Sequence, residues 1–554
     1  MDWILSLLYM ETLVKTEQKK IRKALENAKK QSAMWCKHIP SPPTSGAGLI
    51  DTIAAQPYLK QCMESVENGL VDMAQQFSPV QWLWYLRRFP NIHNIEDEGF
   101  EGCCLTLAVI LSARSQQKDY SEQFDTQLSF PLTPSIANYV LAFVAGVYDL
   151  GDLRIKYGAA AREIPFRVRA RHLPDAVLTE SKQKAAEIFD TRQSIGISGL
   201  AGTIPSQSDL PEKAPLYVVG RTYYPIAMPL PYFEFRGLET PPFVPTHYVP
   251  TEVPLNHISN LYRLTNNGNQ QWLSREVFSL LLLAGLLLPI SASAPEHSAN
   301  IAMYGYSVHE RSDFIMDYWR VFNELVLKLK DLFPGADLPS TPIHLLNDVE
   351  KLKTSTHPLL PSVIMGDKHW IVIDHSNIKD RLGRMLRFPN LSGVTGNQRG
   401  VHFEDAIQSY IDASQWKPSD ALRAMRQVHL ERQRKGKNKQ ITDIDAIGES
   451  GDTLLIVSCK AVIFSVGQDI GEYHALRNAR LRLDEAVLKW QAVKAELQDS
   501  PIGQNYDFSR YAKIIAVVCT PNVVYTESDV SLAYEVGNLR KSATAPEFID
   551  WLNI

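Results

Sequence analysis

The sequence predicts a multidomain α/β protein with a C-terminal mixed β-sheet flanked by helices. Three observations predict it. The chain has 554 residues, too many for one core when domains run to about 150 residues. Its 45% hydrophobic and 21% charged residues are those of an ordinary folded protein. Its C-terminal part orders as helix, strand, strand, helix, strand. A hairpin followed by a strand–helix–strand crossover calls for a mixed sheet covered by helices.

Residues 1–130 read as mainly helical. Lys15–His38 is a basic stretch rich in helix formers, and Leu70–Arg88 and Gly102–Arg114 continue the pattern. A basic helix is usually a solvated face, with a nucleic-acid contact as the narrower reading. Residues 131–392 are mixed and proline-rich. Pro225–Pro254 holds too many prolines for a regular helix or a central strand. It reads as extended chain over the surface, or as a polyproline ligand for a partner. Asp313–Phe333 is an amphipathic helix, and Ser362–Asp374 a β-hairpin around Gly366-Asp367. Gly393–Gly400, GVTGNQRG, reads as a flexible polar loop and the clearest domain boundary. The expected regions are therefore 1–130, 131–392 and 393–554.

Composition narrows the class. A net charge of -4 gives no global attraction to nucleic acid, so any such binding must come from local patches. Cys36, Cys62, Cys103, Cys104, Cys459 and Cys519 include no C-x-x-C pair and read as reduced thiols of a cytoplasmic protein. The N-terminus MDWILSLLYMETLVK lacks the basic region and cleavage site of a signal peptide. Val277–Ile290 is uncharged over 14 residues, short of the about 20 that span a bilayer. It is expected to be a buried core helix, with a membrane segment of a membrane-associated effector as the narrower reading. There is no P-loop, no H-E-x-x-H and no dinucleotide fingerprint. Gly196-Ile197-Ser198-Gly199-Leu200 is not a nucleophile elbow.

The segment Ile441–Val462, ITDIDAIGESGDTLLIVSCKAV, carries the chemistry. It reads as strands Gln440–Ile447 and Thr453–Val462 joined by a turn at Gly448–Asp452. Asp443 and Asp445 share a face of the first strand, and Leu454, Ile456, Ser458 and Lys460 share one of the second. Asp445 meets Ser458 and Lys460 only if paired residues have numbers that sum to an odd value, because a one-residue slip exchanges the faces. In the preceding helix, Val401–Ile411, the buried face is Phe403, Ile407, Tyr410 and Ile411. Glu404 lies on its flank, about 75° from the centre. It can reach inward along a sheet edge, or remain a surface glutamate favoured by the helix dipole. Helix Gly471–Leu497 and strand Ala512–Thr520 follow.

Between helix and hairpin lies Arg423–Lys439, with seven basic residues against Glu431. Arg432, Arg434, Lys435, Lys437 and Lys439 are candidate phosphate contacts, and such a run makes binding strongly salt-dependent. The competing reading is a disordered solvated loop. Arg477, Arg480 and Arg482 on the next helix could extend the patch.

In this order of elements, residues 400–520 resemble the PD-(D/E)xK nuclease superfamily, the restriction-endonuclease-like fold, as seen in its Mrr-like branch. Gly400–Glu404 matches the family's helix glutamate. ITDIDAI matches its metal aspartate with Asp445, or less well with Asp443. Ser458-Cys459-Lys460 stands at (D/E)-x-K, and Val517–Pro521 matches the following apolar strand. The resemblance implies phosphodiester hydrolysis with Mg²⁺ (or Mn²⁺) held by Asp445, Glu404 and the backbone carbonyl of Cys459. Lys460 would orient the attacking water and offset charge. It implies DNA rather than RNA as substrate, and a setting in restriction or anti-phage defence. Protein partners are expected on the N-terminal region, and an oligomer is compatible with the sequence.

Ser458 departs from the pattern, because serine is a weak neutral ligand where the family has an acid. Three readings stay open. A carboxylate from elsewhere fills the gap: Glu404, or Asp443, Asp469 or Glu472. Alternatively the fold survives as a catalytically inactive subunit that binds nucleic acid or assembles a complex. In the third, the register is wrong and the motif is accidental.

Overall fold

Asp51 and Ser78 set the N-terminal helices. In this computed structural model, residues 39–43, 48–87, 130, 133–197, 216–222, 247–252, 275–351, 363–366, 368–387, 394–434, 437–462 and 465–552 are described. Lys15–His38, Gly102–Arg114, Lys435 and most of Pro225–Pro254 lie outside them. Strand β1 (Gly48–Ile50) leads into α1 (Thr52–Ala74), whose first turn is capped by the Asp51 carboxylate accepting from Ala54 N–H at 3.0 Å. Ala55, Leu59, Cys62, Val66 and Leu70 form its buried stripe. The expected helical run over Leu70–Arg88 is interrupted. Ser78 and Gln81 cap each other reciprocally (2.9 and 3.0 Å) and restart the chain as α2 (Pro79–Arg87). Helix α3 (Pro134–Ala161) and strand β2 (Phe166–Val168), paired with β1, complete the unit. One core joins Leu59, Trp82, Phe143 and Phe166, drawing on both sides of position 130. Helix α4 (Glu180–Ile197) follows.

The second core forms around an apolar helix. Strands β3 (Tyr217–Thr222) and β4 (His247–Glu252) pair as a ribbon with Val219 opposite Pro250. A two-stranded ribbon has only edges, which is where a strand tolerates proline. Helix α5 (Arg275–Ser293) is long and apolar enough to cross a membrane, and 67% of its apolar window is buried inside the protein. Leu280, Leu281, Leu286 and Ile290 pack against Phe322, Leu329 and Ile373, as expected for a core helix. Strand β5 (Tyr306–Glu310) follows. The amphipathic stretch expected over Asp313–Phe333 is two helices, α6 (Arg311–Asp317) and α7 (Trp319–Leu332), divided at Tyr318. The expected hairpin is β6 (Ile364–Gly366) and β7 (Trp370–Asp374), with β7 central between β5 and β6. Gly366 has φ 136°, and a Cβ there would lie 2.2 Å from the Trp370 carbonyl oxygen. The Arg87 guanidinium binds Asp374 at 2.9 Å, both side chains fully buried, and ties this unit to the first. Helix α8 (His375–Arg387) closes the unit.

The C-terminal unit begins with a correction. Val394–Gly400 is no loop but the opening turns of helix α9 (Val394–Asp412). Once Phe403, Ile407 and Ile411 are buried, extending the helix backward adds a bond per residue at small cost, even through Gly396 and Gly400. Part of the basic run is likewise strand rather than loop. It folds as hairpin β8 (Glu431–Arg434) and β9 (Lys437–Gln440). The strand expected over Gln440–Ile447 splits. Residues 441–445 turn their backbone toward residues 427–430, through Gln427 N–H to Ile444 O, Leu430 N–H to Thr442 O and Ile441 N–H to Leu430 O. Strand β10 (Ala446–Ser450) starts only after Asp445 and pairs antiparallel with β11 (Thr453–Cys459) around a two-residue turn, with Gly451 at φ 60°.

Helix α10 (Tyr473–Asp499) returns the chain to β12 (Lys513–Thr520), parallel to β11. Strand β13 (Ser542–Thr544) adds in parallel to β12, and α11 (Ala545–Leu552) follows. The sheet order is β10-β11-β12-β13, antiparallel at one edge and parallel thereafter. Both faces are covered. Leu454 and Ile456 meet Leu483, Val487 and Trp490 of α10, while Leu455 and Val457 meet Phe403 and Ile407 of α9 and Phe548 of α11. The result is a mixed α/β sheet sandwiched by helices.

This unit is fastened to the first one. Gln56 donates to the Gly471 carbonyl (2.8 Å) and accepts from Tyr473 N–H (3.2 Å). A Cβ on Gly471 would lie 2.7 Å from Gly158 Cα. Arg480 pairs with Glu163 at 2.8 Å, Lys182 with Glu527 at 3.1 Å, and Arg192 with Glu547 at 2.7 Å. Arg480 is therefore occupied by this seam rather than extending a nucleic-acid patch.

Candidate active site

The β10–β11 register pairs Ala446 with Val457 and Ile447 with Ile456, so paired numbers sum to an odd value. One further step places Asp445 opposite Ser458. The side chains converge accordingly. Asp445 Oδ2 accepts from the Cys459 backbone N–H at 2.6 Å and from Ser458 Oγ at 3.2 Å, and lies 3.8 Å from Lys460 Nζ. The Asp445 side chain is 13% exposed and that of Lys460 44%. Asp443, expected on the same strand face, is exposed in the irregular segment, and its charge acts on Asp445 from outside. Neither aspartate lies on a strand, because the backbone of 441–445 is committed to residues 427–430.

Helix α9 delivers Glu404 to the same place. Its buried Gln408 donates to the Ile447 carbonyl (2.9 Å) and accepts from the Ile447 N–H (2.8 Å). Strand β10 is the sheet edge, so this amide replaces a missing strand neighbour and locks α9 against it. Glu404 sits one turn earlier on the same side of the helix. Its Oε2 accepts from Gln427 Nε2 at 3.0 Å. Burial, and then the nearby Asp445 charge, push the Glu404 carboxyl above its usual range, while Gln427, Arg426 and Lys460 pull it down. Burial also pushes Asp445 up, against Lys460 and the Cys459 N–H. The buried Cys459 thiol is pushed far up, chiefly by burial, and feels Asp445, Glu404 and Lys460 together.

Sequence reasoning missed Arg426, Gln427 and Gln408. Arg426 had been counted only as part of a basic run. Its Nε donates to the Asp445 carbonyl oxygen at 2.7 Å and its Nη2 to Asp405 at 2.5 Å. The spacing of Gln408, four residues after Glu404 and beside Ile407, is its only trace in the sequence.

Other expected residues lie elsewhere. Glu472 stands at the N-cap position of α10 without a side-chain capping bond, close to Gly467, and its charge acts on Tyr157. The side chain of Asp469 lies outside the described residues. In the basic hairpin the backbone pairs 434 with 437 and 432 with 439, and the side chains of Arg434, Lys437 and Lys439 lie outside the described residues. Arg432 reaches Glu496 (3.3 Å) and Ser500 Oγ (3.1 Å). Trp490 of the same helix bonds the Ile456 carbonyl, and Glu496 lies further toward the Gly451 turn. The basic hairpin is thus anchored beyond the far end of α10 from Lys460, and the Arg432 charge is already paired.

The donor chemistry suits a hard divalent cation. Among the described residues no three His, Cys, Asp or Glu side chains are grouped for a metal, but Mg²⁺ is commonly held by one or two carboxylates plus waters and phosphate. Glu404 and Asp445 are carboxyl groups pushed up by burial, the first also by the charge of the second. A cation between them would relieve that strain. No family model, curated protein or solved structure matches this chain.

Proposed function

We propose that the protein is a Mg²⁺- or Mn²⁺-dependent phosphodiester hydrolase acting on DNA, with Asp445, Glu404 and Lys460 as its working groups. The observation that carries this reading is the meeting of Asp445 with the Ser458–Lys460 end of β11, at 3.8 Å from Lys460 Nζ, beside a Glu404 whose ionisation Asp445 opposes. Glu404 supplies the acid that Ser458 lacks. Asp445, Glu404 and the Cys459 carbonyl would hold the cation, which supplies phosphate polarisation and a more acidic bound water. Lys460, half-exposed at the strand end, orients the attacking water and offsets charge on the phosphate. Support also comes from the order helix, hairpin, helix, parallel strand, which is what the PD-(D/E)xK resemblance implies. By that resemblance the reading extends to restriction or anti-phage defence in the cytoplasm, with the N-terminal units as the recognition body.

A second reading is favoured by one observation. Asp445 Oδ2 already takes bonds from Cys459 N–H and Ser458 Oγ, which engage that oxygen within the protein and compete with a cation for it. This reading is a catalytically inactive nuclease-fold subunit that binds nucleic acid in a salt-sensitive way. Plasmid DNA with Mg²⁺ or Mn²⁺, set beside Asp445→Ala and Lys460→Ala, separates the two. Metal-dependent cleavage lost in both variants supports the hydrolase. Cleavage equal in all three proteins removes the mechanism, and binding without any cleavage supports the subunit.

A further inference from the structure

Two consecutive residues, Arg426 and Gln427, touch both acid-bearing elements. Arg426 donates to the Asp445 carbonyl oxygen (2.7 Å) and to Asp405 of α9 (2.5 Å). Gln427 donates its backbone N–H to the Ile444 carbonyl (2.9 Å) and its Nε2 to Glu404 Oε2 (3.0 Å). Each residue therefore holds one carbonyl of the 444–445 segment and one carboxylate of the helix. The pair spans the gap across which Glu404 and Asp445 face each other.

The backbone at Gln427 makes this more than a surface contact. Its φ is 60°, the left-handed region that glycine enters freely and other residues rarely. The side chain is exposed, so burial does not explain why a strained position carries glutamine. What glycine there would lack is the amide that reaches Glu404. Such strain is commonly kept where function over-determines it. Glu404 has three rotatable side-chain bonds, and without a partner its carboxylate would be spread over several rotamers.

We propose that Arg426–Gln427 is a positioning unit that fixes Glu404 relative to Asp445 for a divalent cation. The inference rests on the hydrolase reading of this site. Groups that orient metal-binding side chains matter nearly as much as the ligands themselves.

The test uses the full chain with Gln427→Gly, which keeps the left-handed turn and removes only the amide. Mn²⁺ binding is read from the electron paramagnetic resonance of free Mn²⁺, with Asp445→Ala defining binding at the site. Expected are an Mn²⁺ affinity weakened about 10- to 100-fold, a comparable drop in plasmid cleavage, and an unfolding midpoint unchanged or raised. Gln427→Asn tolerates the same backbone but is one methylene short, and it should show the same loss. If Gln427→Gly binds Mn²⁺ and cleaves like the wild type, the positioning role is wrong while the hydrolase reading stands. If the wild type neither binds Mn²⁺ at Asp445 nor cleaves, the hydrolase reading falls and this inference with it.

Discussion

The Asp445 carboxylate accepts a 2.6 Å hydrogen bond from the Cys459 N–H, so the peptide between Ser458 and Lys460 is held by the acid it faces. Strand-end backbone, acid and lysine form one unit. Burial raises the acid, and Lys460 opposes that rise.

That balance predicts a trade of stability for function at Asp445. Because its proton is held more tightly in the folded chain, stability falls as pH rises from the ordinary value of 3.8 through the raised one. Asp445→Asn should remove this penalty while keeping an acceptor for the Cys459 N–H. Its unfolding midpoint should exceed the wild type's at pH 7, with the advantage shrinking as pH is lowered toward 3.8. Cleavage should fall by about 10²- to 10³-fold. Thermal unfolding across pH, paired with plasmid cleavage, checks both halves.

Lys460→Ala should separate chemistry from folding in a different way. The side chain is 44% exposed but offsets the burial of Asp445, so stability should fall by about 0.5–1 kcal/mol. Cleavage should drop by about 10²-fold or more. Urea denaturation and initial cleavage rates give the comparison, and a variant with wild-type rates would exclude the lysine from the reaction.

Ser458→Glu tests whether an acid has moved or been lost. Ser458 is buried and bonded to Asp445, so a glutamate there adds a second charge beside the first. With Glu404 in service, the variant should cleave no better than wild type and should lose about 1–3 kcal/mol of stability. Cleavage arising in the variant from an inactive wild type would instead identify a decayed enzyme.

Gln408→Ala should destabilise the C-terminal unit most. It strands the N–H and carbonyl of the fully buried Ile447. At about 1–3 kcal/mol for each of the two lost partners, a loss of about 2–6 kcal/mol is expected in urea unfolding. A loss below about 0.5 kcal/mol would mean that water reaches the β10 edge.

Much of the C-terminal unit was legible in the sequence, because period-two and helical patterns survive wherever both faces of the sheet are buried. Leu454–Cys459 alternates between α10 and α9, and the parity condition for Asp445 could be written before any coordinates. Two local features resisted. Gly393–Gly400 looked like a linker because glycine and polar residues mark loops, yet burial of Phe403 and Ile407 pulled Val394–Gly400 into the helix. Residues 441–445 alternate like a strand, but their backbone partners lie at 427–430, a pairing that no local period encodes. Gln408 and Gln427 were hidden for the same reason, since each acts on a segment 17 to 39 residues away.

The contact between Gly158 and Gly471 carries a consequence for how this chain can be cut or inherited. Two backbones meet there with no room for a methyl group on Gly471, and ion pairs such as Arg480–Glu163 and Arg192–Glu547 flank the meeting. The C-terminal unit is therefore not a portable cassette. A fragment starting near 393 would strip Glu163, Lys182 and Arg192 from Arg480, Glu527 and Glu547, leaving Arg480 and Glu527 only each other at 3.8 Å. A lineage that exchanged its first 197 residues would have to recut both surfaces together.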